Sequence, residues 1–492
     1  MAPQLPDTLK DRLSKLAHGG PADGPRFRPA DPSRPGSAPR PPRRGPGPLA
    51  RLANRWWNRL LSSVYEGTVF DQEAEYEAGE TGRDYLWNTL GIGLWGTVFP
   101  VLTIVATQLV GAEQAGMFSI AFVTGTLLMI VANYGVRTFQ VSDLEEAHSF
   151  ASYQVNRWIT GAAALVAGAL YCAVRGYGPA MTVLCMGVYV YKVVDGVADV
   201  YEGRLQQADK LYLAGISQAL RSLAAVAAFT VLLFITRDLG LAAIAMAAVA
   251  VATLVLVTMP LAFFEAARSG PWSMGEVSGL FRHCFPLFST LFLFNLIESM
   301  PKFAMESMLP YDNQLYFNAL FFPAQAILLA AGFIYKPQLL RLAGIWANPR
   351  RRRRFDLIVL AMLAVVAGLT AAVAAFMGSA GIPLMGFMYG LDFEPYRGLA
   401  VVMVCAGGVT AAIDFLYAIV TVLRRQDSAT KPYLITFGFS LFVPALLVAF
   451  TGLPGAVVGY LIVMVVLLVL LGGEYIRIRR GIAARSKNPF AR

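Results

Sequence analysis

The chain has 492 residues, of which 56% are hydrophobic and 15% charged, with a mean hydropathy of +0.55. That is more apolar surface than a soluble domain of this size can hide, so a water-soluble globular enzyme is excluded and the bilayer has to act as solvent. The formal net charge of +10 does not point to nucleic acid, because the basic residues lie in the tails and in alternate gaps between apolar runs, where membrane topology accounts for them.

Residues 1–48 are crowded with Pro, Gly, Arg and Ser, as in Pro39-Arg40-Pro41-Pro42-Arg43-Arg44, and predict a disordered cytoplasmic tail that buries too little to fold alone. In residues 49–84 Leu52, Trp56 and Leu60 recur every fourth residue beside Arg51, Arg55 and Arg59, which predicts a short amphipathic helix, and an acidic connector follows at Asp71–Glu77. The stretch 49–61 suits either anionic lipid at the membrane surface or packing against the cytoplasmic mouth of the bundle.

Twelve apolar runs come next, near 85–110, 117–137, 158–176, 179–200, 212–236, 239–264, 284–309, 315–335, 356–378, 397–420, 432–451 and 454–476. Most have the roughly 20 residues that a helix needs to cross a hydrocarbon core of about 30 Å. They are continuously apolar rather than alternating, so helices and not a barrel are predicted. Lys336, Arg341, Arg350–Arg354, Arg424, Arg425 and Lys431 fall in every second gap. Basic loops are retained inside, so both termini are expected in the cytoplasm.

The most polar break, with Glu265, Arg268, Glu276 and Arg282, divides the runs six and six. The expected organisation is an N-terminal six-helix lobe (85–264), a cytoplasmic linker (265–283), a C-terminal six-helix lobe (284–476) and a basic cytoplasmic tail (477–492). An offset of about 198 residues sets Tyr316-Phe317-Asn318-Ala319-Leu320 against Phe118-Ser119-Ile120-Ala121-Phe122, the trace a duplicated bundle with pseudo-two-fold symmetry would leave. The fold class is therefore an all-α polytopic membrane protein of about twelve transmembrane helices in two six-helix lobes.

Ionisable residues inside such runs cost about 2.5 kcal/mol or more each, and so mark partners or a wet path. Glu298, Lys302 and Glu306 follow at four-residue spacing on the seventh run, with Asn295 one turn before and Pro301 among them. Lys192, Asp195 and Asp199 share the fourth, Arg221 lies in the fifth, Arg137 ends the second and Asp414 lies in the tenth. Arg137, Lys192, Arg221 and Lys302 are candidate cations for an anionic head group. Asp195, Glu298 and Asp414 are candidate carboxylates for proton or sodium exchange. Asn88, Asn133, Asn295 and Asn318 are candidate polar lining. The competing reading is that Glu298 neutralises Lys302 and Asp195 neutralises Arg221, with nothing bound.

No catalytic or metal-binding pattern is present: His18, His148 and His283 lack ligand spacing, Cys172, Cys185, Cys284 and Cys405 form no CxxC, and no Walker-type glycine loop occurs. No cofactor is expected.

Asn88-Thr89-Leu90-Gly91, Val110-Gly111, Gly116-Met117-Phe118, Tyr134-Gly135-Val136-Arg137 and Gln140-Val141-Ser142-Asp143 together resemble the amino-terminal signature of Wzx-type polysaccharide and oligosaccharide flippases of the multidrug, oligosaccharidyl-lipid and polysaccharide exporter superfamily. The resemblance implies two six-helix lobes that carry a polyprenyl-pyrophosphate-linked glycan from inner to outer leaflet, with glycosyltransferases or a polymerase as partners. The Pro/Arg-rich tail departs from the usual pattern, and twelve runs rather than fourteen argue against a murein precursor as cargo. A small-molecule or drug exporter on the same scaffold is the alternative. A membrane glycan polymerase or scaffold is a third reading, against which stands the lack of a large outer loop with clustered Arg and His.

Overall fold

The computed structural model describes residues 73–143, 147–266, 269–347, 352–423 and 426–487. The predicted tail 1–48 and amphipathic stretch 49–61 lie outside the described residues, as do Arg268, Arg350, Arg351, Arg424 and Arg425. Among the described residues twelve helical segments are long and apolar enough to cross a membrane: α1 (Gly82–Val110), α2 (Ala112–Ser142), α3 (Phe150–Arg175), α4 (Pro179–Gln207), α5 (Leu211–Thr236), α6 (Leu239–Glu265), α7 (Met274–Met308), α8 (Asp312–Tyr335), α9 (Arg352–Tyr389), α10 (Glu394–Val422), α11 (Thr430–Thr451) and α12 (Leu453–Arg480).

Each predicted run is one of these segments, but several helices outlast their apolar stretch. The helix containing α1 begins at Glu73, so the expected acidic connector is largely helical. α7 begins at Met274, capped by Ser273, whose Oγ accepts from the Glu276 N–H at 3.2 Å, and this reduces the expected linker 265–283 to residues 266–273. α9 continues past 378 to Tyr389 through a π-helical turn at Met377–Gly381. Hydropathy reports only the part that meets hydrocarbon, whereas caps and backbone bonding decide where a helix stops.

In the first lobe α1 packs on α5, α2 on α4 and α3, and α4 on α6; in the second, α8 packs on α10, α10 and α7 on α12, and α7 on α11. α2, α4 and α10 are the most enclosed helices, while α7 and α9 turn much of their surface outward. The lobes meet where α2 lies against α8, α7 and α3 touch, and α9 reaches α1. The end of the bundle where α2 passes to α3 and α6 to α7 carries most of the basic connections and is called the basic end; the other is the short-loop end.

α2 is not continuous. Tyr134 adopts a left-handed conformation (φ 47°) whose N–H caps the Ile130 carbonyl, Gly135 follows at φ 66°, and a new helical stretch starts at Val136. A tyrosine at positive φ is unfavourable in isolation, so the surrounding packing has to impose it. Its ring stacks on Phe288 of α7 with centroids 4.5 Å apart.

A buried charge network and an aromatic seam

The break in α2 redirects Arg137 toward α4. There its guanidinium donates to Asp199 at 2.7 Å and to Gln206 at 3.2 Å, and lies 3.9 Å from Glu202. Arg157 of α3, wholly buried, donates to the other Asp199 oxygen at 3.0 Å and to the Ala132 carbonyl at 2.9 Å, with Asn133 at 3.4 Å. Arg221 of α5 joins Asp195 and Glu202, each at 2.8 Å. The indole N–H of Trp95 takes the second Asp195 oxygen at 3.0 Å, and the Lys192 ammonium approaches that same oxygen only to 3.8 Å.

One continuous chain thus runs Lys192, Asp195, Arg221, Glu202, Arg137, Asp199, Arg157. Four cations face three carboxylates, leaving one positive charge in excess. The expected Asp195 and Arg221 pair is present, and it is part of a larger lattice. Lys192 is its loosest member: its ammonium lies 4.1 Å from the Phe122 ring centroid, 4.9 Å from Trp95 and 5.2 Å from Tyr191, so aromatic faces solvate it where water cannot. Arg137, between Glu202 and Asp199, is its most accessible cation, keeping 31% side-chain exposure against 3% for Lys192.

The second lobe is arranged differently. Glu298 accepts from Tyr460 at 3.2 Å and Gln325 at 3.3 Å, and Tyr460 is bonded in turn to Thr410 at 2.9 Å. Lys302 is buried, yet among the described residues no carboxylate lies within 4 Å of its ammonium, which sits 4.4 Å from the Phe321 ring centroid. The expected contact pair of Glu298 and Lys302 is therefore not formed at bonding distance. Each lobe holds one buried lysine over a phenylalanine of its own second helix, Phe122 in α2 and Phe321 in α8.

Phe99 of α1 joins the two. It stacks on Phe122 at 4.3 Å and meets Phe322 edge-on at 5.1 Å, so an aromatic seam crosses between lobes from one lysine's ring to the neighbour of the other's.

The remaining predicted residues lie elsewhere. Asp414 accepts a hydrogen bond from Tyr335 within the second lobe. Asn318 is buried, bonded to the Gln314 carbonyl at 2.8 Å, while Gln314 donates to the Lys302 carbonyl at 2.5 Å. Asn295 donates to the Leu291 carbonyl of its own helix at 2.9 Å. Asn88 lies where α1 closely approaches α5: a Cβ added to Gly215 would fall 2.3 Å from the Trp87 carbonyl oxygen and 2.7 Å from the Asn88 backbone nitrogen. Neither of the last two joins the network.

Sequence reading missed Arg157, Glu202, Trp95, Gln325 and Tyr460. Arg157 fell one residue before the predicted start of its span and passed for a loop residue. The aromatic and amide partners carry no charge to mark them.

No protein-family model and no curated protein matches the chain. Solved structures do. An inward-facing multidrug resistance MATE family transporter of the MOP superfamily matches at 13% identity, TM-score 0.55, over 82% of this chain and 99% of its own. A MOP superfamily transporter from Pyrococcus furiosus, described by a reversed polarity of its binding pocket that suggests a different function, matches at 15% identity, TM-score 0.54, over 81% and 95%. The Vibrio cholerae MATE transporter VcmN in its bent form matches at 16% identity, TM-score 0.53, over 82% and 98%. At such identities the likeness is one of fold. The chain is an all-helical, multi-pass membrane protein with the two-lobed architecture of MATE transporters.

Proposed function

We propose that this protein is a flippase that moves a polyprenyl-pyrophosphate-linked oligosaccharide from the inner to the outer leaflet of the bacterial cytoplasmic membrane, with both termini in the cytoplasm. The observation that carries the proposal is the buried positive excess, with Lys192 and Lys302 held over aromatic rings instead of in tight carboxylate pairs. A pyrophosphate cannot cross hydrocarbon unaided, and an ammonium freed from a ring face in a water-poor site is a strong partner for its oxygens. Apolar residues would pack these helices at lower insertion cost, so the retained cations call for a cargo. Partner glycosyltransferases or a polymerase would supply and consume such a lipid.

A second reading, export of small molecules or drugs, is favoured by the fold shared with multidrug MATE transporters. The two differ in the charge they demand, since an anionic cargo needs the lysines and a cationic one needs the carboxylates.

The test uses vesicles holding the reconstituted protein and a labelled lipid-linked glycan in the inner leaflet. Label should become accessible outside, and Lys192→Met or Lys302→Met should slow this about tenfold or more. Unchanged flipping in both variants, or efflux of cationic dyes that survives both but fails in Glu298→Gln, would transfer the assignment to drug export.

A further inference from the structure

α7 is fastened to α3 at both of its ends by a glutamate. At the basic end Glu276 accepts from the Ser149 N–H and hydroxyl, both at 2.9 Å, and from the Ser152 hydroxyl at 2.7 Å. At the short-loop end the Glu306 side chain has no solvent exposure: it accepts from Tyr171 at 3.1 Å and from Tyr177, and lies 3.3 Å from the Arg175 guanidinium. Arg175 also donates to Ser307 at 3.2 Å. Close by, a Cβ on Gly116 of α2 would fall 1.8 Å from the Tyr311 carbonyl, so the lobes approach there to backbone contact.

The two fastenings differ in what surrounds them. At the basic end residues 266–273 join α6 to α7, and Ser269 in that link accepts from the Phe150 N–H at 2.8 Å, so the start of α3 is bonded both to α7 and to the segment that leads into it. At the short-loop end no such connection joins the α3–α4 hairpin to α7, and the contact consists of side chains from one carboxylate and three donors.

We infer that Glu306 is the latch holding the lobes together at the short-loop end, that Tyr171, Arg175 and Tyr177 are its keeper, and that the Glu276 cluster is the pivot about which α3 and α7 open. Releasing Glu306 exposes the seam to the short-loop side, and the inference thereby deepens the transport reading on which its cargo consequence rests. Glu306 is a positioning residue: it touches neither Lys192 nor Lys302.

The experiment places spin labels at Ala180 and Thr451, both exposed and on opposite lobes at the short-loop end, in protein whose native cysteines are replaced, and reads the distance distribution in lipid. Glu306→Gln and, separately, the pair Tyr171→Phe with Tyr177→Phe should each raise the longer-distance population about fivefold or more, while Glu276→Gln should not lengthen that distance. Identical distributions in both latch variants overturn the inference. A second arm joins Arg175→Cys to Ser307→Cys with a short thiol crosslinker; glycan exposure should stop and return on reduction. Exposure that continues at full rate while crosslinked also overturns it. Failure of the uncrosslinked protein to move the glycan defeats the flippase reading alone, because the distance measurement needs no cargo.

Discussion

Lys192 and Arg157 occupy one ionic lattice and should behave oppositely when neutralised. Arg157 fills a wholly buried site and satisfies both the Asp199 carboxylate and the Ala132 carbonyl. Arg157→Met removes two charge-assisted bonds from a wholly buried site, leaving Asp199 to Arg137 and the Ala132 carbonyl to Thr160, and a loss of about 2 kcal/mol or more is expected. Lys192→Met leaves Asp195 with Arg221 and Trp95 and removes only the surplus charge, so stability should change by about 1 kcal/mol or less. Thermal unfolding in lipid nanodiscs, followed by tryptophan fluorescence, separates the two; an equal loss in both would make Lys192 a structural residue. At this scale the buried lysines could be singled out from the sequence because an ammonium in an apolar run is costly and has to find a partner or water. Tyr460 and Trp95 were not, since a neutral aromatic residue looks the same in a sequence whether it packs or bonds.

Among elements, the passage from α2 to α3 depends on Asp143. Its carboxylate accepts from the Ala147 N–H at 2.8 Å, the His148 N–H at 3.0 Å and the Tyr153 hydroxyl at 3.0 Å. Burial works against its charge, but the bonds from His148, Ala147 and Tyr153 outweigh that and hold its carboxyl below the usual range. Because the folded value lies below the unfolded one, the stabilisation is complete above the unfolded pKa of about 3.9 and disappears as pH falls through the lower folded value. Hydrogen exchange at the Ala147 and His148 amides should therefore stay slow from neutral pH to about pH 4 and accelerate below it, and Asp143→Asn should abolish that step. An acceleration that persists unchanged in Asp143→Asn would assign the protection to another group. The Tyr134-Gly135 break was visible only as letters shared with a family. Its physical content, a left-handed turn that aims Arg137 at Asp199, needs α4 and α7 in place to impose it. The overlong α7 and α9 escaped for local reasons: α7 opens on a mixed polar stretch before its apolar run, and α9 passes through Gly378, Gly381 and Pro383, residues that ordinarily end a helix, by way of a π-helical turn.

For the molecule as a whole, the twelve spans and the six-and-six division could be read from hydropathy and the single polar break, because each is a local property of the chain. Which charges meet is a long-range property, and Glu306 could not be assigned to Arg175 without α3 beside it. The orientation drawn from basic gaps predicts that a reporter fluorescent only in the cytoplasm, fused after Arg492, will shine, and that cysteines placed at Ala180 or Thr451 will react with an impermeant maleimide added outside intact cells. Silence at both positions would invert the topology. The seam of Phe122, Phe99 and Phe322 carries one more implication. Its two rings in α1 and α2 lie flat on each other within the first lobe, whereas the ring from α8 reaches across with its edge, so any parting of the lobes would break the edge contact and leave the stacked pair beside Lys192. Lys192 and Lys302 then stand on opposite banks with like charge, and if the cargo is the pyrophosphate proposed above, its anionic oxygens would bridge them, so that the passenger itself would act as the counter-ion holding the two halves in register.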